Sequence, residues 1–457
     1  MGTGVRAALR PLRRRPRHPG APRQAERRGL RPDLPGGRHP RGPAAMTRRE
    51  HLSLASFWFG LYVLYGPVGT NLVPAQVSHL VSKDHYGLAL GLVLGSGAFF
   101  AMAMPPLVGA WSDRLRTRWG RRRPIIVAGT AGTLLALVIL LGAHSYVMVL
   151  IGYGVGQLFS NAAGAAYAAL IPDVVPAAEV GRASGWLSTM QLLGSAVGLA
   201  ANAALSAVHH SQLTYAIIVV ALLASLVPTL RTASGDVAPP VTAAPPAEPV
   251  SLRRRVTAFL SPLASGDFAW VIATRLVVTS GISAVTPFTF AFFRDVVKVG
   301  DPEVFNPLWL LVVLAAATPF GLIGGRMSDR LGRKRFVYAS GALQAAVAIV
   351  FVGLYPSSAP LVLALGAVYG VGYGFYVSVD WALACDTLPD PSAAAKDMAL
   401  FHVALTLPGN VVPAIAGAGL DALNAHSPNS GYRAVFGGAA LCFVAGTVLV
   451  RRIRGVR

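Results

Sequence analysis

Long apolar stretches alternate with short polar breaks along most of the chain, at about 54–77, 86–110, 124–143, 146–171, 182–208, 212–230, 268–293, 305–325, 336–354, 360–386, 397–420 and 432–450. Each is near the roughly 20 residues with which an α-helix crosses a bilayer. The pattern therefore predicts an all-α membrane protein with twelve transmembrane helices, six on either side of a Pro-, Ala- and Ser-rich stretch at about 231–262. Composition agrees: 54% of the 457 residues are hydrophobic and 13% charged, and mean hydropathy is +0.54. The expected organisation is a basic extension over 1–45, a six-helix half over 46–230, a cytoplasmic linker over 231–262 and a second six-helix half over 263–457.

Charge changes this picture in two places. The first 45 residues hold twelve arginines and many prolines without apolar periodicity, which predicts disorder. No apolar core follows these charges before residue 52, so a secretory signal is not expected. The favoured reading is that translation starts at Met46, whose Thr47-Arg48-Arg49-Glu50 leads into the first helix. A cleavable organelle-targeting peptide is the alternative, against which the prolines argue. The formal charge of +21 sits in this extension and in short loops, so a nucleic-acid partner is not expected. With both termini cytoplasmic, 24 of the 28 basic residues beyond position 45 face inward and only Lys83, Arg294, Lys298 and Arg433 face outward. That bias sets the orientation, with both termini in the cytoplasm, and the expected location is the cell membrane.

One loop occurs twice. Gly109–Pro124, GAWSDRLRTRWGRRRP, has a counterpart in Gly325–Arg335, GRMSDRLGRKR. Ser112-Asp113-Arg114-Leu115 matches Ser328-Asp329-Arg330-Leu331, and Gly120-Arg121 matches Gly332-Arg333. A second matching pair closes helices 4 and 10: Ala169–Pro176 (ALIPDVVP) and Ala382–Pro389 (ALACDTLP), each with an Asp-x-x-Pro end. Repeats at such spacing indicate two related halves.

These motifs resemble those of the major facilitator superfamily, whose loop between helices 2 and 3 follows a G-x-x-x-D-R-x-G-R-R pattern that recurs between helices 8 and 9. The resemblance covers the chain from about residue 50. Within the superfamily, RLRTRWGRRRP, NLVPAQV, ALIPDVVP and GRASGW resemble the sucrose transporter-like branch, related to the glycoside-pentoside-hexuronide cation symporters. The resemblance implies the major facilitator fold, with one six-helix half rocking on the other. It also implies a secondary transporter, expected to take up a sugar or glycoside with protons as a monomer.

On that fold, Gly109, Asp113, Arg114, Gly120, Arg121, Arg122 and, in the second copy, Gly325, Asp329, Arg330, Gly332 and Arg333 read as conformational latches. A carboxylate there can accept charge-assisted bonds from arginine or a helix N-terminus in one rocked state and not the other. Gly120 and Gly332 would permit the tight turn. The plainer reading gives the arginines to topology and lipid headgroups.

Ionisable residues within the membrane are few, and each is a candidate for function. Arg275 and Asp380 both lie roughly 10 Å from the cytoplasmic face, at 1.5 Å per residue. Helices 7 and 10 line the central cavity of the family's fold, so the two are expected to pair, with Asp380 the candidate for proton coupling. A static structural pair is the alternative. His402 can titrate near neutral pH, although a lone histidine in an apolar helix is more often packed. For a neutral polyhydroxylated cargo the candidates are Asn71, Gln76, Gln157, Asn161, Thr279, Ser280, Thr286, Tyr373 and Tyr376. The same residue types also serve hydrogen bonding between helices.

No metal or cofactor is expected, since Cys385 and Cys442 have no metal-ligand spacing and no nucleotide-binding loop, HExxH or Ser-His-Asp arrangement is present. The chain is thus not expected to be an enzyme. It departs from the cation symporters in having no acid within the bilayer on helices 2 and 4, so a sodium site is not expected. A proton-driven drug or metabolite exporter is the alternative function, weakened by the absence of proline from residues 183–208.

Overall fold

A computed structural model describes residues 46–112, 114–176, 179–233, 251–264, 266–353, 358–389 and 394–455. Twelve helices long and apolar enough to cross a membrane are present among them. They are α1 (Arg48–Leu80), α2 (Lys83–Gly109), α3 (Arg123–Leu141), α4 (Tyr146–Val174), α5 (Val180–Ala207) and α6 (Leu213–Thr232), then α7 (Gly266–Val297), α8 (Pro302–Leu331), α9 (Arg333–Gly353), α10 (Ala359–Asp386), α11 (Asp397–His426) and α12 (Ser430–Arg452). A short helix, Leu252–Leu260, precedes α7. The extension over 1–45 lies outside the described residues, as does most of the stretch expected to be a linker.

Local signals explain where the helices begin. Thr47 and Glu50 form a reciprocal capping box at the start of α1. Ser145 accepts from the Met148 N–H at the start of α4, and Asp301 accepts from the Glu303 and Val304 N–H groups ahead of Pro302 on α8. Within α1, Pro67 is followed by a wide turn over Val68–Leu72, where proline cannot donate to the regular ladder. Gly120 and Gly332 both adopt φ 95°, a region L side chains rarely enter, at equivalent points of the two loops. The 30 residues of α8 would span about 45 Å, against a hydrocarbon thickness of about 30 Å. Its last turn is polar and carries Ser328, Asp329 and Arg330.

The two halves repeat one packing plan. In the first, α1 packs on α5 and α6 while α4 packs on α2 and α3; in the second, α7 packs on α11 and α12 while α10 packs on α8 and α9. Gly194 and Gly198 let α5 approach α1, since a Cβ there would stand 2.4 Å from the Phe59 carbonyl oxygen and 2.5 Å from that of Val63. The halves meet along α2 with α11 and along α5 with α8. The twelve spans leave both ends of the described chain on the side of the α2–α3 and α8–α9 loops, here the arginine end. The opposite side is the far end.

Candidate functional site

At the far end the halves are joined by a buried polar seam. Asn71 on α1 donates through Nδ2 to Asn202 Oδ1 on α5 at 2.6 Å and to the Glu303 carbonyl on α8 at 3.0 Å. Asn306 on α8 donates to Asn71 Oδ1 at 3.1 Å and to the Thr70 carbonyl at 2.7 Å, while the Thr289 hydroxyl of α7 donates to Asn306 Oδ1 at 2.8 Å. Asn202 in turn donates to Thr214. All of these side chains are buried, so each bond forms away from competing water. Beside them, Asp421 near the end of α11 accepts the N–H groups of Gly87 and Leu88 at 2.8 and 2.7 Å. One half thus caps the N-terminus of a helix in the other. Gly87 and Gly417 face each other in this contact with no room for a side chain on either. An outer layer adds Lys83 at 3.8 Å from Asp295, and Arg294 both paired with Asp295 and 5.1 Å over the Tyr86 ring.

Beneath the seam lies a cavity of ≈370 Å³ between the halves, lined by Ala98 and Ala101 of α2, Tyr153 and Gln157 of α4, Ser283 and Thr286 of α7, and Gly409 of α11. Its lining carries no charged residue. Gln157 and Thr286 thus face the cavity. Asn161 stands one turn beyond Gln157 and donates to its Oε1 at 2.8 Å.

The other residues expected at the cargo site have different surroundings. Asn71 belongs to the seam. Gln76 donates to the Leu140 carbonyl at 2.8 Å. Thr279 is buried and donates to the carbonyls of Arg275 and Ala404, while Ser280 donates to that of Leu276. Tyr376 is buried and Tyr373 half-buried on α10.

Arg275 and Asp380 are brought together: the guanidinium Nη1 donates to Oδ2, and both side chains are nearly enclosed, at 7% and 12% exposed. The guanidinium also lies 3.7 Å over the Phe401 ring of α11. His402, next along α11, is exposed and makes no side-chain hydrogen bond or ion pair among the described residues. The pair lies within the second half and does not cross the seam.

At the arginine end, each loop ties back to its own half. Arg121 Nη2 and Arg122 Nε donate to Asp173 Oδ2 at 2.9 and 3.1 Å, and Arg122 also reaches the Ser112 hydroxyl. In the second copy Arg333 donates to Asp386 and lies 3.3 Å from Asp329. Arg114 and Arg330 are exposed; Gly109 ends α2, and Gly325 lies within α8, six residues before its end at Leu331. Asp113 lies outside the described residues. The acids that receive these arginines, Asp173 and Asp386, were visible as a matched pair between the repeats but not as partners of the loops. Asp421 and Asn306 carried no motif, since their partners lie in the other half.

Residues 52–413 match the profile of the Major Facilitator Superfamily, and residues 308–457 match it again. The chain belongs to the Major Facilitator Superfamily. It is a multi-pass membrane transporter, not an enzyme. As a major facilitator it is similar over part of its length to "Proton-associated sugar transporter A" of Rattus norvegicus, at 30% identity over 146 residues, covering 29% of this chain and 18% of that protein. The same-named protein of Mus musculus is 49% identical over 106 residues, 21% of this chain and 13% of that one. "Solute carrier family 45 member 4" of Mus musculus is 31% identical over 142 residues, 28% and 17% of the two chains. The matched region thus spans less than a fifth of each of these relatives. Solved structures share the fold: the match to the nucleoside transporter NupG, at TM-score 0.66 and 13% identity, covers 88% of this chain and 99% of that one. The POT family transporter PepTSo, at TM-score 0.67 and 14% identity, covers 90% and 98%. A bacterial homologue of the human lysosomal transporter Spinster, in an inward-facing and unoccupied conformation, has TM-score 0.63 at 14% identity and covers 88% and 95%.

Proposed function

We propose that this major facilitator is a monomeric proton-coupled symporter that takes up a sugar or glycoside across the plasma membrane, with the arginine end and both termini in the cytoplasm. The observation that carries the reading is the enclosed Arg275–Asp380 pair, an ion pair in a membrane-spanning region that contains few other charges. Protonating Asp380 would cancel one partner's charge and loosen Arg275 from it, linking proton occupancy to the packing of α7, α10 and, through Phe401, α11. The uncharged lining of the cavity suits a neutral hydroxylated cargo, and the names of the partial relatives point the same way. With the arginine end cytoplasmic, the joined far end makes this the state closed to the outside. Alternating access would then require the amide seam and the Asp421 cap to open while the arginine end closes. His402, exposed on α11 next to Phe401, is the second candidate for the proton.

Uptake of radiolabelled sucrose and maltose into proteoliposomes, with and without an inward proton gradient, tests the proposal against Asp380→Asn. For one proton per sugar, accumulation by wild type should rise by up to about tenfold for each pH unit of gradient. The variant should retain at most the ungraded flux. Uptake by Asp380→Asn that still follows the gradient removes Asp380 from coupling, and no uptake under either condition points to the proton-driven exporter.

A further inference from the structure

We infer that a side pocket in the first half, adjoining the central cavity behind Tyr153 and Gln157, is a subsite for a short hydroxyl-bearing arm of the cargo. The inference rests on the sugar reading above. The pocket is a void of ≈50 Å³ among α1, α3 and α4, bordered by Tyr65, Thr133, Ala136, Gly156 and Ser160. Tyr153 and Gln157 line both this void and the ≈370 Å³ cavity, so the two spaces share a wall that the cargo would contact.

Two features mark it as more than a packing gap. The Ser160 hydroxyl is 1% exposed and has the Tyr65 hydroxyl as its polar neighbour, so a buried polar edge borders the void. At the wall, Gln157 Oε1 is engaged by Asn161 and one amide N–H by the Tyr153 hydroxyl, which leaves the second N–H as a donor. The remaining wall, Leu64 and Leu137 among it, is apolar. Donors on one side and aliphatic carbon on the other match a hydroxymethyl group, with its single hydroxyl and C–H surface.

The second half provides an internal control. Tyr369 stands seventeen residues before Asp386, as Gly156 stands seventeen before Asp173; Ala348 stands sixteen after Gly332, as Ala136 stands sixteen after Gly120. The equivalent space, bordered by Val285, Ala348 and Tyr369 and closed by Phe351 and Phe436, is only ≈10 Å³. One water needs about 10–15 Å³ by this measure, so the first-half void has room for roughly three to five non-hydrogen atoms and its counterpart for at most one. The fold therefore does not require the void. The first half keeps it by placing glycine where the second half places a phenol ring, and a Cβ at Gly156 would already stand 3.3 Å from that of Ala136.

The test compares D-glucose with D-xylose, which differ by one exocyclic hydroxymethyl group, as competitors of whichever labelled disaccharide wild type takes up in proteoliposomes. Wild type should favour glucose by about tenfold or more. Ala136→Val, which fills the void from α3, should reduce that preference to about threefold or less by weakening glucose while xylose stays unchanged. Ser160→Ala, nearly isosteric and tolerable even if the valine is not, should lower the preference by about threefold or more through the lost hydroxyl. Equal inhibition by the two sugars in wild type overturns the subsite, as does a wild-type preference ratio in the variants. A wild-type protein that takes up neither disaccharide overturns the sugar reading and the subsite with it, an outcome distinct from retained uptake with an unchanged ratio.

Discussion

Leucine in place of Gly417 should leave the far end of the bundle unable to close. A Cβ at this position would stand 2.0 Å from the Gly87 carbonyl oxygen and 3.0 Å from the Leu88 nitrogen. Both are backbone atoms of α2, so no flexible side chain can move aside. The helices must part, and in parting they draw Asp421 away from the two N–H groups it caps. Overpacking costs about 1–3 kcal/mol and a lost cap about 1–2 kcal/mol. Together they disfavour the closed far end by about 2–5 kcal/mol, roughly thirtyfold or more in its population. Ser283 lines the cavity beneath the seam and reports the change. In a background lacking Cys385 and Cys442, Ser283→Cys should react with an impermeant maleimide from the far side about thirtyfold faster when Gly417→Leu is added, and uptake should fall in parallel. An unchanged labelling rate would show that this contact does not control access.

Removing Arg275 should be among the most damaging single changes in the membrane-spanning region. Its guanidinium is the ion-pair partner of Asp380, and both side chains are nearly enclosed. Losing one member of a buried pair leaves the other without compensation, at a cost of about 3–5 kcal/mol. Arg275→Met keeps most of the volume and some contact with Phe401, so its effect isolates the charge. Thermal melting of the purified protein should drop markedly for Arg275→Met, and most of the loss should return when Asp380→Asn is added to it. That recovery is the informative result, because a pair replaced by neutral groups no longer leaves a buried charge. Were Arg275→Met to melt as wild type does, the pair would have no stabilising role and the coupling reading would lose its physical basis.

The twelve spans were legible because membrane helices declare themselves by length and apolar content alone. Their ends were less so: α1 begins at Arg48 and α11 continues to His426, since capped polar turns extend a helix past the apolar run that reveals it. The meeting of Arg275 and Asp380 was legible from two scarce charges at equal depth. The surroundings of Asn71 and Gln76 were not, because an amide that bonds a neighbouring helix and an amide that bonds a cargo are the same residue at the same depth. Pairings such as Arg121 with Asp173 or Asp421 with Gly87 depend on which helices become neighbours. A single sequence shows that only when its repeats are compared element by element.

Arg275 and Asp380 sit on α7 and α10 of one half, and so they travel together when that half rocks. Moving one elementary charge through a membrane potential of 100 mV involves about 2.3 kcal/mol. An intact pair carries none, so reorientation of the empty carrier should be insensitive to voltage. Once Asp380 is protonated, the same movement carries one net positive charge and the resting potential drives it. The electrical work therefore falls on the protonated step alone, and transient currents recorded without substrate, at a symmetric pH that keeps Asp380 ionised, should be absent.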